Sequence, residues 1–158
     1  MQRFCKMDRM LTRLSIAFAA CLLTRIACAQ DSSATALGIW QTFDDDTHAP
    51  KALVEITAHD NELSGRIVKL FRAPGDDPNP LCNKCADERH NQPVLGMTIL
   101  SGMHQHGDEW DGGEILDPEE GKLYRSKLHV NGEGKLELRG YIGIALLGRT
   151  QVWERAAP

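Results

Sequence analysis

Cys82 and Cys85 are the first residues in this chain whose types and spacing carry chemistry. A Cys-x-x-Cys pair supports three readings. A redox-active dithiol belongs at a helix N-terminus inside a βαβ unit, where the helix dipole stabilises a thiolate. No such pattern surrounds this pair. Half of a zinc site needs two more ligands. His90 is near and His104 and His106 are candidates, but a second Cys-x-x-Cys is absent. A structural disulfide needs nothing else and is the favoured reading. His104-x-His106 would point two imidazoles to one side of a strand, a spacing that grips a divalent metal. It adjoins the Gly107-Asp108 turn, however, where exposed histidines are ordinary.

Arg139-x-Tyr141 is the leading ligand candidate, because residues two apart on a strand face the same way. Turned inward, the pair would hold a carboxylate or another anionic head. Leu136, Leu138 and Ile142 alternate with it and favour the outward orientation. Ile144, Leu146 and Leu147 follow in a connecting loop. Such residues line a ligand entrance, dock a partner or fold under to plug an interior. Asp44-Asp45-Asp46 lacks the spaced ligands and closing glutamate of a calcium loop and reads as a solvated turn. The Gly-x-Ser-x-Gly, His-Glu-x-x-His and Walker patterns are missing. Glu55, Asp117 and Glu154 are carboxylates with no local reason to pair. No catalytic residue, resident metal or cofactor is therefore assigned, and the chain reads as a non-enzyme.

The elements that position these residues begin after residue 29. Arg3, Lys6, Arg9 and Arg13 form a basic lead. Leu14 to Leu23 is an apolar run too short to span a bilayer, and Ala27-Cys28-Ala29 fits a small-x-small cleavage site. Residues 1–29 thus read as an export signal, with Met10 an alternative start, and residues 30–158 as one domain. Phe18 and Arg25 stand three residues before Cys21 and Cys28, where a lipoprotein signal expects leucine. Removing Arg3, Lys6, Arg9, Arg13, Arg25 and Asp8 takes the 18 basic and 22 acidic residues to 13 and 21, a net charge of −8. So acidic a domain is poorly suited to nucleic acid or an anionic lipid surface. Cys5, Cys21 and Cys28 leave with the signal, and an exported pair in an oxidising compartment reads as a disulfide.

The domain then reads as strands joined by hairpin turns. Candidate strands cover 37–43, 52–59, 63–71, 97–103, 110–116, 123–130, 135–142 and 148–154. Val54 and Ile56 alternate with Glu55 and Thr57, the pattern of a half-buried strand. His59-Asp60-Asn61-Glu62, Asp117-Pro118-Glu119-Glu120-Gly121 and Asn131-Gly132-Glu133-Gly134 carry turn chemistry. Residues 72–93, rich in proline and centred on the cysteines, form one long excursion. No amphipathic helix interrupts the series. About eight sequential strands favour an antiparallel up-and-down barrel, because closure removes exposed edges. Gly65, Gly112, Gly113 and Gly140 sit within strands, and the expectation is that they leave interior space unfilled.

The run from Trp110-Asp-Gly-Gly-Glu through Asp117-Pro118 to Gly121-Lys122-Leu-Tyr124, with Arg139-Gly140-Tyr141-Ile-Gly143 and Gly148-Arg149-Thr-Gln-Val-Trp153, resembles a family of small exported bacterial proteins, domain-of-unknown-function family 2147. Gly38-Ile-Trp40, Lys69-Leu70 and the Cys82–Cys85 loop share in the resemblance, which spans residues 38–154. It implies a lipocalin-like barrel and a periplasmic address, and it brings no reaction. Under it Gly38, Trp40, Arg149 and Trp153 are architectural, with Arg149 expected to stack on Trp40 and close the barrel base. The leading functional expectation is a barrel that binds an apolar or amphipathic, anionic small molecule. The alternatives are an envelope interaction module with a self-filled interior, and a metal-binding or redox protein built on the cysteines. Intact mass of the exported protein is expected to begin at Gln30; an uncut chain, or lipid on Cys21 or Cys28, contradicts the export reading.

Overall fold

The computed structural model describes residues 35–157, so the expected export signal lies outside the described residues. Eight strands follow one another: β1 (Gly38–Phe43), β2 (Pro50–His59), β3 (Glu62–Leu70), β4 (Thr98–His106), β5 (Glu109–Asp117), β6 (Lys122–Val130), β7 (Leu136–Tyr141) and β8 (Arg149–Arg155). Each pairs antiparallel with the next, and β8 returns to β1 to close the barrel. Trp40 pairs with Arg155 and Gln41 with Glu154 in that last seam. A 3-10 turn, Ala145–Leu147, precedes β8.

Local chemistry explains the hairpins. Asp60 and Asn61 both take positive φ, 48° and 65°, as a two-residue turn requires, and both residue types tolerate that region. Alternation then places Ala52, Val54 and Ile56 of β2 and Leu136 and Leu138 of β7 inside. The register of β3 against β4 shifts on both sides of Gly65, and that of β5 against β6 shifts between Trp110 and Gly113. These irregularities bend the sheet so that it can close. Gly65 and Gly113 leave no empty space, whereas Gly140 borders a cavity inside the barrel. A Cβ on Gly113 would lie 2.2 Å from the Ser101 carbonyl oxygen and 2.5 Å from Met103 Sδ. One on Gly65 would lie 3.0 Å from Leu100 Cβ, and one on Gly140 3.4 Å from Tyr124 Cβ. Neighbouring atoms fill the room at Gly65 and Gly113.

The two ends of the barrel differ. At one end lie the short turns after β2, β4 and β6 and the segment leading into β1. There Ile56, Leu63, Leu100, Met103, Leu128 and Leu136 are fully buried, and Ser126 donates its hydroxyl to Met103 Sδ at 3.1 Å. This end is shut by Trp40 and Arg155. The Arg155 guanidinium lies 4.3 Å over the Trp40 ring. It also donates to the Leu37 carbonyl at 3.0 Å and the Thr35 carbonyl at 2.7 Å. The Trp40 indole N–H donates to the Ala36 carbonyl at 2.8 Å. Gly38 has φ of +120°, and a Cβ there would stand 2.9 Å from Arg155 Nη1. The glycine of Gly38-Ile39-Trp40 therefore makes the space through which the arginine reaches the tryptophan.

The expected partner, Arg149, is not the stacking residue. It begins β8 at the far end of the barrel and forms an ion pair with Asp45. Arg155→Ala should cost about 1–3 kcal/mol, through loss of the stacking and of the charged hydrogen bonds that hold the entry segment. Arg149→Ala should cost no more than about 1 kcal/mol, as for a surface ion pair. Chemical denaturation of the two variants compares them directly, and equal losses would contradict the assignment of Arg155 as the closing residue.

Candidate functional site

The other end is open. Four connections meet there: 44–49, 71–97, 118–121 and 142–148. Below them lies a cavity of about 530 Å³, within the range of small-molecule sites. Its apolar wall is formed by Val54, Ile67, Ile99, Ile115 and Leu138. Beside Leu138 runs a polar strip supplied by β8, whose residues 149, 151 and 153 share one face. The deep Trp153 indole N–H donates to Gln151 Oε1 at 3.2 Å. The Gln151 amide donates to Asp45 Oδ2 at 2.8 Å, and Asp45 also accepts from Arg149 at the mouth. Asp45 in turn stabilises the Arg149 cation, chiefly through that hydrogen bond, and raises its pKa.

The long 71–97 connection is ordered by its own bonds. Cys82 and Cys85 form a disulfide, Cα–Cα 5.5 Å, and both are buried. Backbone bonds from Cys82 to the Gln92 carbonyl and from Asn91 back to the Cys82 carbonyl, each 2.9 Å, cross the loop. Asn79 Oδ1 accepts from the Leu95 N–H at 3.0 Å. Arg89 grips the Asp87 carboxylate, and that hydrogen bonding holds Asp87 down at about 2. His90 donates its Nδ1 proton to the Cys85 carbonyl at 2.8 Å, since a carbonyl can only accept. The loop lies against the turn after β5. Cys82 Sγ is 3.3 Å from the Pro118 carbonyl oxygen, a packing contact because a disulfide has no S–H. Gly121 has φ of +66°, and a Cβ there would stand 2.0 Å from the Lys84 carbonyl oxygen. Only glycine permits that approach. Lys51 reaches Glu119 of the same turn at 2.7 Å. Leu81, Asn83, Lys84 and Val94 of the loop thereby line the cavity.

The ligand role given to Arg139 and Tyr141 needs correction, and the outward orientation that the alternation favoured is the one observed. Arg139 and Tyr141 lie outside the barrel wall, because the strand alternation that turns Leu138 and Gly140 to the cavity turns them away. Arg139 is occupied: it donates to the carbonyls of Ala145 at 2.6 Å and Leu146 at 3.0 Å, and to Thr150 Oγ1 at 2.8 Å. It shapes the 3-10 turn. Tyr141 has the Arg125 guanidinium 5.9 Å over its ring. Ile144, Leu146 and Leu147 are 60%, 82% and 78% exposed and project from the mouth without plugging it. His104 and His106 are exposed on the outer face, with His106 2.7 Å from Asp111. Among the described residues no group of three or more metal-ligating side chains converges. Glu55 faces Arg66 at 3.5 Å, Glu154 faces Lys135 at 3.0 Å, and Asp117 caps its own turn through the Glu119 N–H at 2.9 Å.

Residues 38–155 match the bacterial family of domain-of-unknown-function 2147, described as an uncharacterized protein conserved in bacteria. The chain belongs to that family. Among solved structures it is similar to protein HP1028 from the human pathogen Helicobacter pylori, described as belonging to the lipocalin family. That likeness has 20% sequence identity and a TM-score of 0.67 and covers 78% of this chain and 84% of the other. It establishes the lipocalin-like fold. A comparison with curated proteins found no match.

Sequence reasoning missed most of the cavity lining, including the polar residues Thr42, Lys84, Tyr124 and Gln151. Gln151 had a signal: it shares a strand face with Trp153. Lys84 had none, since loop packing places it. Cys82→Ser should loosen residues 79–95 while the barrel stays folded, because the closed loop is short and its stabilisation falls below the ~3 kcal/mol of a 15-residue loop. Hydrogen exchange separates the two regions. Global unfolding of the variant, or stoichiometric zinc in the wild type, would contradict a purely structural disulfide.

Proposed function

We propose that this protein is an exported, periplasmic binding barrel that holds a small apolar or amphipathic molecule in the cavity at its open end. The observation that carries this is the unequal filling of the interior. One half is packed by Leu63, Leu100, Met103, Leu128 and Leu136, while the other half encloses about 530 Å³. A closed barrel of eight strands has room for side chains or for one small ligand, and a cavity with an apolar wall and a few polar groups suits an apolar or amphipathic molecule. The lipocalin-like fold is consistent with this use. The periplasmic address rests on the basic lead, the apolar run and Ala27-Cys28-Ala29. The reading is of a carrier rather than an enzyme: the rim carboxylates Asp45, Asp117 and Glu119 are held in ion pairs or turn caps, and no nucleophile–base pair was assigned.

A second reading has one specific observation in its favour. Ile142, Ile144, Leu146 and Leu147 are exposed together on one loop, as a protein-docking patch would be. A self-filled barrel was the premise of that alternative, and the unfilled half argues against the premise. The two uses compete only if the patch works without the cavity.

Native mass spectrometry of protein purified from its own host should show a retained small molecule. The uncharged dye N-phenyl-1-naphthylamine should fluoresce on binding the delipidated protein. Ala52→Phe, which puts a ring into the cavity wall, should reduce that binding at least about tenfold, while Arg139→Ala leaves it unchanged. No dye binding, or binding indifferent to Ala52→Phe, would remove the cavity as the site.

A further inference from the structure

We infer that the ligand is an amphipathic anion, a carboxylate or similar monoanion on an apolar body, and that Lys84 receives its head at the cavity mouth. The inference rests on the carrier reading above and adds the chemical class and the residue. Four cations line the cavity: Lys51, Arg72, Lys84 and Arg149. Three are engaged. Lys51 is bound to Glu119 at 2.7 Å and Arg149 to Asp45. Arg72 donates from Nε to the Asp77 carbonyl at 3.1 Å and has Asp76 at 3.9 Å. Lys84 has no carboxylate within ion-pairing distance among the described residues. Glu120 senses its charge but is paired with Lys122 at 2.8 Å. The remaining carboxylates on the cavity rim are also committed: Asp45 to Arg149 and Gln151, Glu119 to Lys51, and Asp117 to the backbone of its turn.

Lys84 is also held in place. It lies between the two half-cystines, and its carbonyl is pressed against Gly121, where even a methyl group would collide. A backbone fixed in this way loses little further freedom on binding, so a charged contact made there is not offset by loop ordering. The apolar wall of Val54, Ile67, Ile99, Ile115 and Leu138 extends below the mouth. A molecule with its head at Lys84 would therefore lay its tail on that wall. The acidity of the domain does not forbid an anion. Charges farther than about 8 Å are largely screened at physiological salt, so the charges lining the cavity decide, and there four cations stand against the three carboxylates Asp45, Asp117 and Glu119.

The test uses decanoate and decanol, which share a tail and differ in head-group charge, as competitors of N-phenyl-1-naphthylamine bound to the delipidated full domain. In Lys84→Gln the ratio of decanoate to decanol affinity should fall on the order of tenfold relative to wild type, the scale of a lost charge-assisted contact. Lys84→Arg should restore the ratio. Circular dichroism and thermal melts establish that each variant is folded. An unchanged ratio in Lys84→Gln overturns the head-group assignment and leaves the carrier reading standing. Equal weakening of both competitors also overturns it, because Lys84 would then act only by shaping the mouth. If neither competitor displaces the dye and the dye itself does not bind, the carrier reading and this inference fall together.

Discussion

A guanidinium over an indole closes this barrel. Arg155, the last residue of β8, reaches back over Trp40 near the start of β1 and ties down residues 35 and 37. The contact joins the two terminal strands where the sheet would otherwise have edges, and edges are where barrels fail. It also caps one end, so that end can be filled with apolar side chains without exposing them. The opposite end is then free of the burden of closure. Its four connections form a mouth, and the interior behind it need not be packed.

Three glycines serve that division. Gly38 admits the arginine at the base, Gly113 admits Met103 in the packed half, and Gly121 admits the disulfide loop at the mouth. In each case the missing side chain is replaced by a neighbour that has a job. The mouth is rigid for a related reason. Its long loop carries a disulfide, crossing backbone bonds and the Asp87–Arg89 clamp, and it leans on the turn after β5. A loop of that length would otherwise be the most mobile part of the chain.

Much of the architecture was legible in the residues. Strand alternation and the Asp60-Asn61 turn pointed to an up-and-down barrel, the family resemblance pointed to Gly38 and Trp40 as its base, and the cysteine pair was read correctly as a disulfide. The closing arginine was misplaced for a topological reason. β8 runs antiparallel to β1, so the residue that meets Trp40 stands at the end of β8, where Arg155 is, and not at its beginning, where Arg149 is. The alternation around Leu136 and Leu138 already argued for an outward Arg139. That Arg139 would bind the carbonyls of its own loop depends on the path of that loop, which periodicity does not encode. Of the strand glycines expected to leave room, Gly140 borders the cavity, while Gly65, Gly112 and Gly113 do not. The cavity arises where the strands reach the mouth with residues such as Thr42, Ala52 and Gly140 lining the interior, and Lys84 joins it only through loop packing.

The central claim is a barrel with one packed end and one receptive end. Side-chain methyl NMR during titration with decanoate tests it most directly. The account predicts saturable shifts at Val54, Ile67, Ile99 and Leu138, with Leu63, Met103, Leu128 and Leu136 unmoved. Shifts concentrated on the exposed Ile144, Leu146 and Leu147, or spread evenly over both halves of the core, would contradict it.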